Sequence, residues 1–432
     1  MSPQPFSVEW SPSTTPTATP DFEPLGRVAE AISDRGRGSR WSDQFQAGTI
    51  KAKVRNGNNA GETPAHLLAD WRRHTRTRLV VDIGGGRPVN TGYITRFEHD
   101  LTEAPFAALV NLEATDALGV WNHQTYEEVT FANVVAFPPV TVVDIADTLN
   151  VLTPAVDTVD ASGVARAPVT FPATVIDTNG SNDSRFTSNA FDALRKGLDV
   201  ELGTVHVAAD GTLAINGRYA VADAAAGATP TVAFGLTNLA ADVDGSTVWA
   251  YRRGSLKFAD PLAEFYNGAA VAGISKATVK ALADSFVTGD FEEFIERLDL
   301  YALDINWINA NAQLLADLYA GVREPWPSEV AVTVWDTAMA DLNLLEAVLD
   351  ATDILGRSSI TLGVTQPGTG TQIEYLATIE GLRLTVGAAQ AVATLRLGAG
   401  GARWRSAYDL SVGIFRLGGA GLGLGSGAIL GP

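Results

Sequence analysis

Alternation of apolar and polar residues dominates the first and last quarters of the chain. Between positions 49 and 55, the apolar residues Ile50, Ala52 and Val54 alternate with polar ones. A period of two is typical of a β-strand that buries one face. Further strands are predicted at 26–33, 78–83, 89–97, 106–114, 263–274, 330–334, 359–364, 374–384 and 389–397.

Apolar residues at helical spacing are confined to shorter stretches. Apolar residues three and four positions apart predict a helix over 304–320. Shorter helices or helical turns are predicted at 62–75, 116–120, 186–200, 278–286 and 291–297, and 339–351 is predicted to be a helix or a turn. Between two alternating runs, Asp210-Gly211 is a strong signal for a β-hairpin.

Together these elements predict a β-rich, mixed α+β multidomain fold, in which small antiparallel β-barrel or sandwich domains are interleaved with small α/β domains. The 42 glycines and 20 prolines favour the many turns that such a fold needs. The predicted divisions are a flexible Pro/Thr-rich N-terminal arm at 1–24, a β-barrel domain at 25–135, an α+β domain at 136–230, a mixed α/β domain at 231–322, a β domain at 323–398 and a Gly-rich tail at 399–432.

Charge and hydropathy narrow the range of partners. The 49 acidic and 31 basic side chains give a net charge of −18. Because such a surface repels phosphate backbones, we expect no specific binding to nucleic acid. The chain has no uninterrupted run of 18 apolar residues, so we also expect no membrane span.

Residues with catalytic or ligand chemistry form no recognisable constellation. The absence of cysteine excludes disulfides, thiolate metal sites and a cysteine nucleophile. The five histidines have no metal-ligand spacing. Gly84-Gly85-Gly86 follows a predicted strand, but another strand follows it, so a hairpin turn is favoured over a phosphate-binding loop. We therefore expect no catalytic residue, no cofactor and no metal, and no enzymatic activity.

One pair of motifs resembles a known family. An Arg-Gly-Arg turn at 35–37 precedes the sequence Phe45-Gln46-Ala47-Gly48, and Arg87-Pro88 precedes Gly92-Tyr93. These motifs resemble the N-terminal hairpin and the following strand pair of minor tail proteins from long-tailed actinobacteriophages. Weaker similarity at 265–271, 353–356 and 379–382 extends the resemblance over most of 25–400, although Arg357 stands where the family usually has an acidic residue.

The resemblance implies a hub-like fold and a structural role in a virion. Members of the family are similar to baseplate hub proteins, which form a threefold ring under the tail tube. By this resemblance the chain is a homotrimer at the phage tail tip, assembled in the host cytoplasm. Its expected partners are the distal tail protein, the tape measure protein and tail-tip or fibre proteins. It would take part in host attachment, and DNA would pass through the lumen of the ring.

Two other functions remain open at this stage. The first is a distal tail protein, which shares the N-terminal hairpin but usually lacks the later hub domains. The second is a glycan-binding or cell-wall-degrading tail-tip protein, because the nine tryptophans could stack on sugars. The tryptophans are scattered among apolar runs, which favours a role in the core.

Overall fold

The fold is known from a computed structural model. The residues that it describes are 4–11, 20–38, 45–56, 75–83, 85–100, 108–123, 129–130, 156–157, 185–186, 204–216, 232–235, 248–259, 268–273, 278–282, 295–299, 308–309, 312–313, 316, 326–339, 341–353, 355–356, 358–365 and 372–398. The tail predicted at 399–432, and all but one residue of each helix predicted at 62–75 and 186–200, lie outside this set.

Six antiparallel strands near the N-terminus form a closed barrel. They are β1 (Phe6–Ser11), β2 (Glu23–Gly36), β3 (Gln46–Asn56), β4 (Arg76–Val81), β5 (Arg87–Asp100) and β6 (Ala108–Thr115). Their order is β1-β4-β5-β6-β3-β2, and β2 pairs with β1 to close the ring. Helix α1 (Ala117–His123) follows β6 directly. The predicted β-rich fold with an antiparallel barrel is confirmed.

Strand β1 corrects the prediction that residues 1–24 form an arm without regular structure. Phe6, Val8 and Trp10 alternate with partly exposed residues, and all three side chains are buried in the core. The prolines that suggested an irregular arm begin at Pro12, after the strand has ended. Burial of one alternating face is therefore enough to order residues 6–11 as a strand.

The remaining strands are mostly short. They are β7 (Val129–Thr130), β8 (Val156–Asp157), β9 (Arg185–Phe186), β10 (Thr204–Val207), β11 (Leu213–Asn216), β12 (Val232–Gly235), β13 (Val248–Ala250), β14 (Lys257–Phe258), β15 (Gly268–Ala272), β16 (Val279–Leu282), β17 (Ile295–Asp299), β18 (Pro327–Asp336), β19 (Ser359–Thr365), β20 (Gln372–Val386) and β21 (Gln390–Gly398). As predicted, Asp210-Gly211 forms the turn of the hairpin made by β10 and β11.

Strand β20 joins the barrel to a second group of strands. Its C-terminal half pairs with β2, from Ala31 opposite Val386 to Gly36 opposite Gly381. Its N-terminal half pairs with β19, and its other edge pairs with β21. The predicted domains at 25–135 and 323–398 thus contribute to one continuous 13-stranded sheet. The domain boundaries themselves stay a prediction.

Helix α2 (Asn343–Asp353) packs against the second group of strands. Leu344, Leu345, Val348 and Leu349 are buried on one face of the helix and belong to the same core as the barrel interior. This helix lies where the sequence predicted a helix or a turn. Within the described part of the chain, no helix is long and apolar enough to cross a membrane.

Three small sheets lie outside the large one. Their strand orders are β10-β11-β8, β16-β15-β17 and β7-β9. Two predicted helical segments are wrong here, because Val279–Leu282 is strand β16 and Ile295–Asp299 is strand β17. Both strands pair with β15 along their length, and this tertiary pairing overrides the helical preference of their Ala, Lys, Leu and Glu residues.

Candidate functional site

Buried charged and aromatic residues gather where the barrel, the second group of strands and the β10–β11 hairpin meet. The centre of this region is the end of β2, where the chain reaches Gly36 beside β20. We call this group the junction cluster, and it consists of Arg35, Arg37, Phe45, Asp116, His206 and Glu380. All six residues are at most 5% exposed.

Arg37 and Glu380 form the first part of the junction cluster. Arg37 Nε donates a hydrogen bond to Glu380 Oε2 at 2.7 Å, and the Thr378 hydroxyl donates to the other carboxylate oxygen at 2.8 Å. The backbone N–H of Arg37 also donates to the carbonyl oxygen of Glu380 at 2.9 Å. A buried carboxylate needs such compensation, and here it fastens the end of β2 to β20.

Gly36 allows this close approach of two backbones. It has a φ of +108°, and a Cβ atom at this position would lie 2.4 Å from the carbonyl oxygen of Glu380. No other residue type combines this dihedral angle with so small a volume. The close approach of the two backbones therefore explains why the central residue of the Arg-Gly-Arg turn is a glycine, which the motif alone did not explain.

Phe45 connects the ion pair to the hairpin. Its ring centre lies 5.1 Å from Arg37 Cζ, within the range of a cation–π contact. The same ring stacks on His206 of β10, with centres 5.0 Å apart and planes inclined by 27°. The hairpin is held a second time at its turn, where the Thr91 hydroxyl of β5 donates to the carbonyl oxygen of Ala209 at 2.8 Å.

Asp116 connects β3 to the start of α1. Its Oδ2 accepts a hydrogen bond from Gly48 N at 2.6 Å, and its Oδ1 accepts one from Gly119 N at 3.1 Å. This is the geometry of a helix N-cap. Burial raises the pKa of Asp116 to about 7, although the backbone donors, and more weakly Arg35, act to lower it.

Arg35 lies among carboxylates from three distant segments. Its Nη2 donates to the carbonyl oxygen of Thr352 at 2.8 Å, at the C-terminal end of α2. Burial lowers the pKa of Arg35 to about 10, and the charges of Asp353, Asp210 and Asp116 oppose that shift. Burial raises the pKa of Asp353, and the positive charge of Arg35 opposes that shift. The guanidinium thus offsets part of the negative charge at this end of the barrel.

The structure places two of the predicted motif residues at the junction cluster and two beside it. Phe45 belongs to the cluster, and Gly48 donates to its Asp116. Gln46 is exposed at the start of β3, opposite Gly36, and Ala47 is half-buried next to it.

The other four predicted residues lie on β5. Tyr93 is buried opposite Thr115, and the backbone of Gly92 lies against the carbonyl oxygen of Thr115. Pro88 pairs with β4, while Arg87 forms an ion pair of 2.6 Å with Asp350 on α2. Their assignment as family-motif residues stays a prediction.

Sequence reasoning did not assign Glu380 or His206 to a site, although Glu380 stands in the 379–382 motif and His206 is one of the five histidines considered. Glu380 lies 343 positions from its partner Arg37, and the 379–382 motif gives no sign of that pairing. His206 could have been noticed, because it occupies a strand position of the hairpin between two buried valines. Neither residue stands in a motif of known chemistry.

The hydrogen bonds and ring contacts of the cluster link separate segments of the chain. Its charges are buried, and both carboxylate oxygens of Glu380 and of Asp116 accept a hydrogen bond. Among the residues that the structure describes, no three His, Asp or Glu side chains are grouped so that they could hold a metal ion. What the arrangement does is hold three segments from distant parts of the sequence in one geometry.

Two open clefts lie elsewhere on the described surface. One of about 560 Å³ lies between β1, the β4–β5 turn and the region after β18, and Phe6 and Trp335 are among its lining residues. The other, of about 650 Å³, crosses β2, β3, β5 and β6 on the barrel. Its lining mixes acidic and basic side chains, including the exposed ion pair of Lys51 and Glu113 at 3.7 Å.

Comparison with solved structures relates this architecture to known proteins. A tail protein from Neisseria meningitidis MC58 superposes with a TM-score of 0.54 and 11% identity, over 93% of this chain and 99% of that one. The 43 kDa tail protein of prophage MuSo2 from Shewanella oneidensis gives a TM-score of 0.51 and 10% identity, with the same coverage. The chain shares the fold of these two tail proteins.

The other comparisons found weaker similarity or none. An Escherichia coli component of the type VI secretion system, described as similar to the phage T4 tail proteins gp27 and gp5, is less similar. It gives a TM-score of 0.40 and 9% identity over 86% of this chain and 73% of that one. No protein-family model matches the sequence, and no curated protein matches it by sequence.

Proposed function

We propose that the chain is a structural subunit of a bacteriophage tail tip. The observation that carries the proposal is the shared fold, which extends over 93% of this chain and 99% of each of two tail proteins. Similarity over entire chains supports a common architecture rather than one shared module. The motifs around Phe45 and Tyr93, which resemble those of minor tail proteins, support the same function independently.

In this proposal the subunit is a hub. Three copies form a ring below the tail tube, which binds the distal tail protein above, the tape measure protein within, and tip or fibre proteins below. The ring takes part in host attachment and DNA passage. Its role is binding and not catalysis, in keeping with a junction cluster whose buried carboxylates serve as fastenings. A net charge of −18 per copy would keep passing DNA from adhering to the lumen.

The mass and shape of the purified protein test the proposal. We expect light scattering to give three times the chain mass of 45.5 kDa, and negative-stain images to show a ring with a central opening. A ring of six would assign the chain to the distal tail position instead. If the protein is a monomer and its tryptophan fluorescence changes on binding host cell-wall fragments, the result would contradict the hub and favour a glycan-binding tip protein.

A further inference from the structure

Strand β1 completes the barrel by pairing with β4 on one edge and with β2 on the other. Its ladder with β4 is regular over six residue pairs, from Phe6 opposite Val81 to Ser11 opposite Arg76. Its ladder with β2 has four pairs and is interrupted by a bulge, and Pro24 stands opposite Glu9. Because proline has no N–H to donate, this second edge is the weaker one.

The side-chain contacts of β1 also reach β4 and the second group of strands. Glu9 forms an ion pair of 2.6 Å with Arg78, and its carbonyl oxygen accepts a hydrogen bond from the Thr77 hydroxyl at 2.8 Å. Phe6 meets the ring of Trp335 edge-on, with centres 6.4 Å apart. A strand that arrives from outside can make all of these contacts, because none of them requires the β1–β2 connection.

The connection between β1 and β2 is much longer than antiparallel pairing needs. Two residues are enough to join adjacent antiparallel strands, whereas positions 12–22 lie between Ser11 and Glu23. This sequence contains Pro12, Pro16 and Pro20. Residues 20–22 are already placed next to β2, with the Phe22 ring 4.1 Å from Arg78 Cζ. At about 3.1 Å per residue, the eight positions 12–19 give a proline-rich connection a reach of roughly 25 Å.

We infer that β1 is exchanged between neighbouring copies, so that the strand of one subunit closes the barrel of the next. This inference rests on the proposed ring. Exchange of an identical element preserves every contact of the closed barrel, so it costs little once the connection is long enough. A neighbour in a closed ring is always present at high effective concentration. The barrel cannot remain open, because the edges of β2 and β4 and the positions of Phe6, Val8 and Trp10 would be exposed.

Engineered disulfides test the exchange directly, because the chain contains no cysteine. Glu9 and Arg78 are directly opposite on β1 and β4, which places their Cα atoms within the range that a disulfide bridges. We expect the oxidised Glu9→Cys/Arg78→Cys ring to run on a non-reducing denaturing gel as covalent oligomers. The matched control is Lys51→Cys/Glu113→Cys, another opposite pair on adjacent barrel strands, which should run as a monomer. A monomeric band for both variants would overturn the exchange.

Mixing two single variants removes any ambiguity about where the bond forms. When Glu9→Cys copies and Arg78→Cys copies are assembled together, a disulfide between these positions can form only between chains. We expect a covalent dimer that contains one copy of each. Failure to find it in an intact ring contradicts the exchange while leaving the ring itself in place.

A second design does not depend on disulfide formation. Replacing residues 12–21 with Asn-Gly gives a two-residue hairpin turn that keeps β1 in its own barrel. We expect this variant to fold, with an unchanged circular dichroism spectrum, but to dissociate from the ring at least tenfold more readily than the parent chain. A ring of undiminished stability would overturn the exchange. A parent chain that forms no ring contradicts both the exchange and the proposed hub.

Discussion

Arg37 and Glu380 stand 343 positions apart in the chain, yet their side chains form a buried ion pair of 2.7 Å. The pair joins the residue that follows β2 to the middle of β20, at the point where the barrel continues into the second group of strands. Removing one partner of such a pair leaves an uncompensated charge in the core, which is far more costly than removing both.

We expect Arg37→Met to destabilise the protein by about 3–5 kcal/mol. The double variant Arg37→Met/Glu380→Leu should recover much of this loss, because it leaves no buried charge. Urea unfolding followed by circular dichroism measures both effects. Lys51→Met is the control, since Lys51 is exposed and the loss of its ion pair with Glu113 should stay below about 1 kcal/mol. Equal losses from the two single variants would contradict the assigned role of the buried pair.

The close approach at Gly36 gives a second prediction. Gly36→Ala would place a methyl group 2.4 Å from the carbonyl oxygen of Glu380 and would also strain a φ of +108°. We expect a loss of at least ~2 kcal/mol in thermal unfolding.

Gly85→Ala is the matched control for this substitution. Gly85 has a similar φ of +122°, but no atom lies within 4 Å of the added methyl group. It should lose only the backbone contribution, about 1 kcal/mol. If Gly36→Ala and Gly85→Ala have the same melting temperature, the contact between β2 and β20 is looser than the structure shows.

Local pattern was sufficient to predict most strands of the large sheet. A strand with one buried face carries its own signal, as Ile50, Ala52 and Val54 do in β3. Some strands that lack this signal were missed or mistaken for helices, and β1 was missed although Phe6, Val8 and Trp10 alternate in it. Val279–Leu282 contains good helix formers, and only its pairing with β15 makes it a strand.

The candidate site was predictable only where one segment carries a motif. Phe45 and Gly48 stand in a recognisable sequence, and both lie at the junction cluster. Their partners Glu380 and His206 come from strands far from Phe45 and Gly48 in the sequence, and pairing over such distances leaves no trace in local periodicity. The same reason explains why the link between β2 and β20, and hence the continuity of the two predicted domains, was not foreseen.

Phe45 should control how firmly the hairpin is attached. Phe45→Ala removes the ring that contacts both Arg37 and His206, and we expect a loss of about 3–5 kcal/mol. Hydrogen exchange should rise first at 204–207, while amides of β21 stay protected. Phe258→Ala is the control, since Phe258 is 42% exposed and its replacement should cost no more than about 0.5 kcal/mol. Uniform exchange across both regions would contradict a local role for Phe45.

Asp116 should make stability depend on pH in an unusual direction. Because the folded pKa of about 7 exceeds the ordinary value of 3.8, the folded chain binds this proton more tightly than the unfolded chain does. Stability from this group is therefore fully present below about pH 4 and is lost as the pH rises towards 7, by at most about 1.4 kcal/mol per pH unit. The raised pKa of Asp353 acts in the same direction.

We expect the melting temperature to fall between pH 5 and pH 7 and to level off near pH 8. Asp116→Asn should flatten this slope, whatever its overall cost, while Asp82→Asn at the exposed β4–β5 turn should preserve it. A slope that persists in Asp116→Asn would assign the pH dependence to other groups.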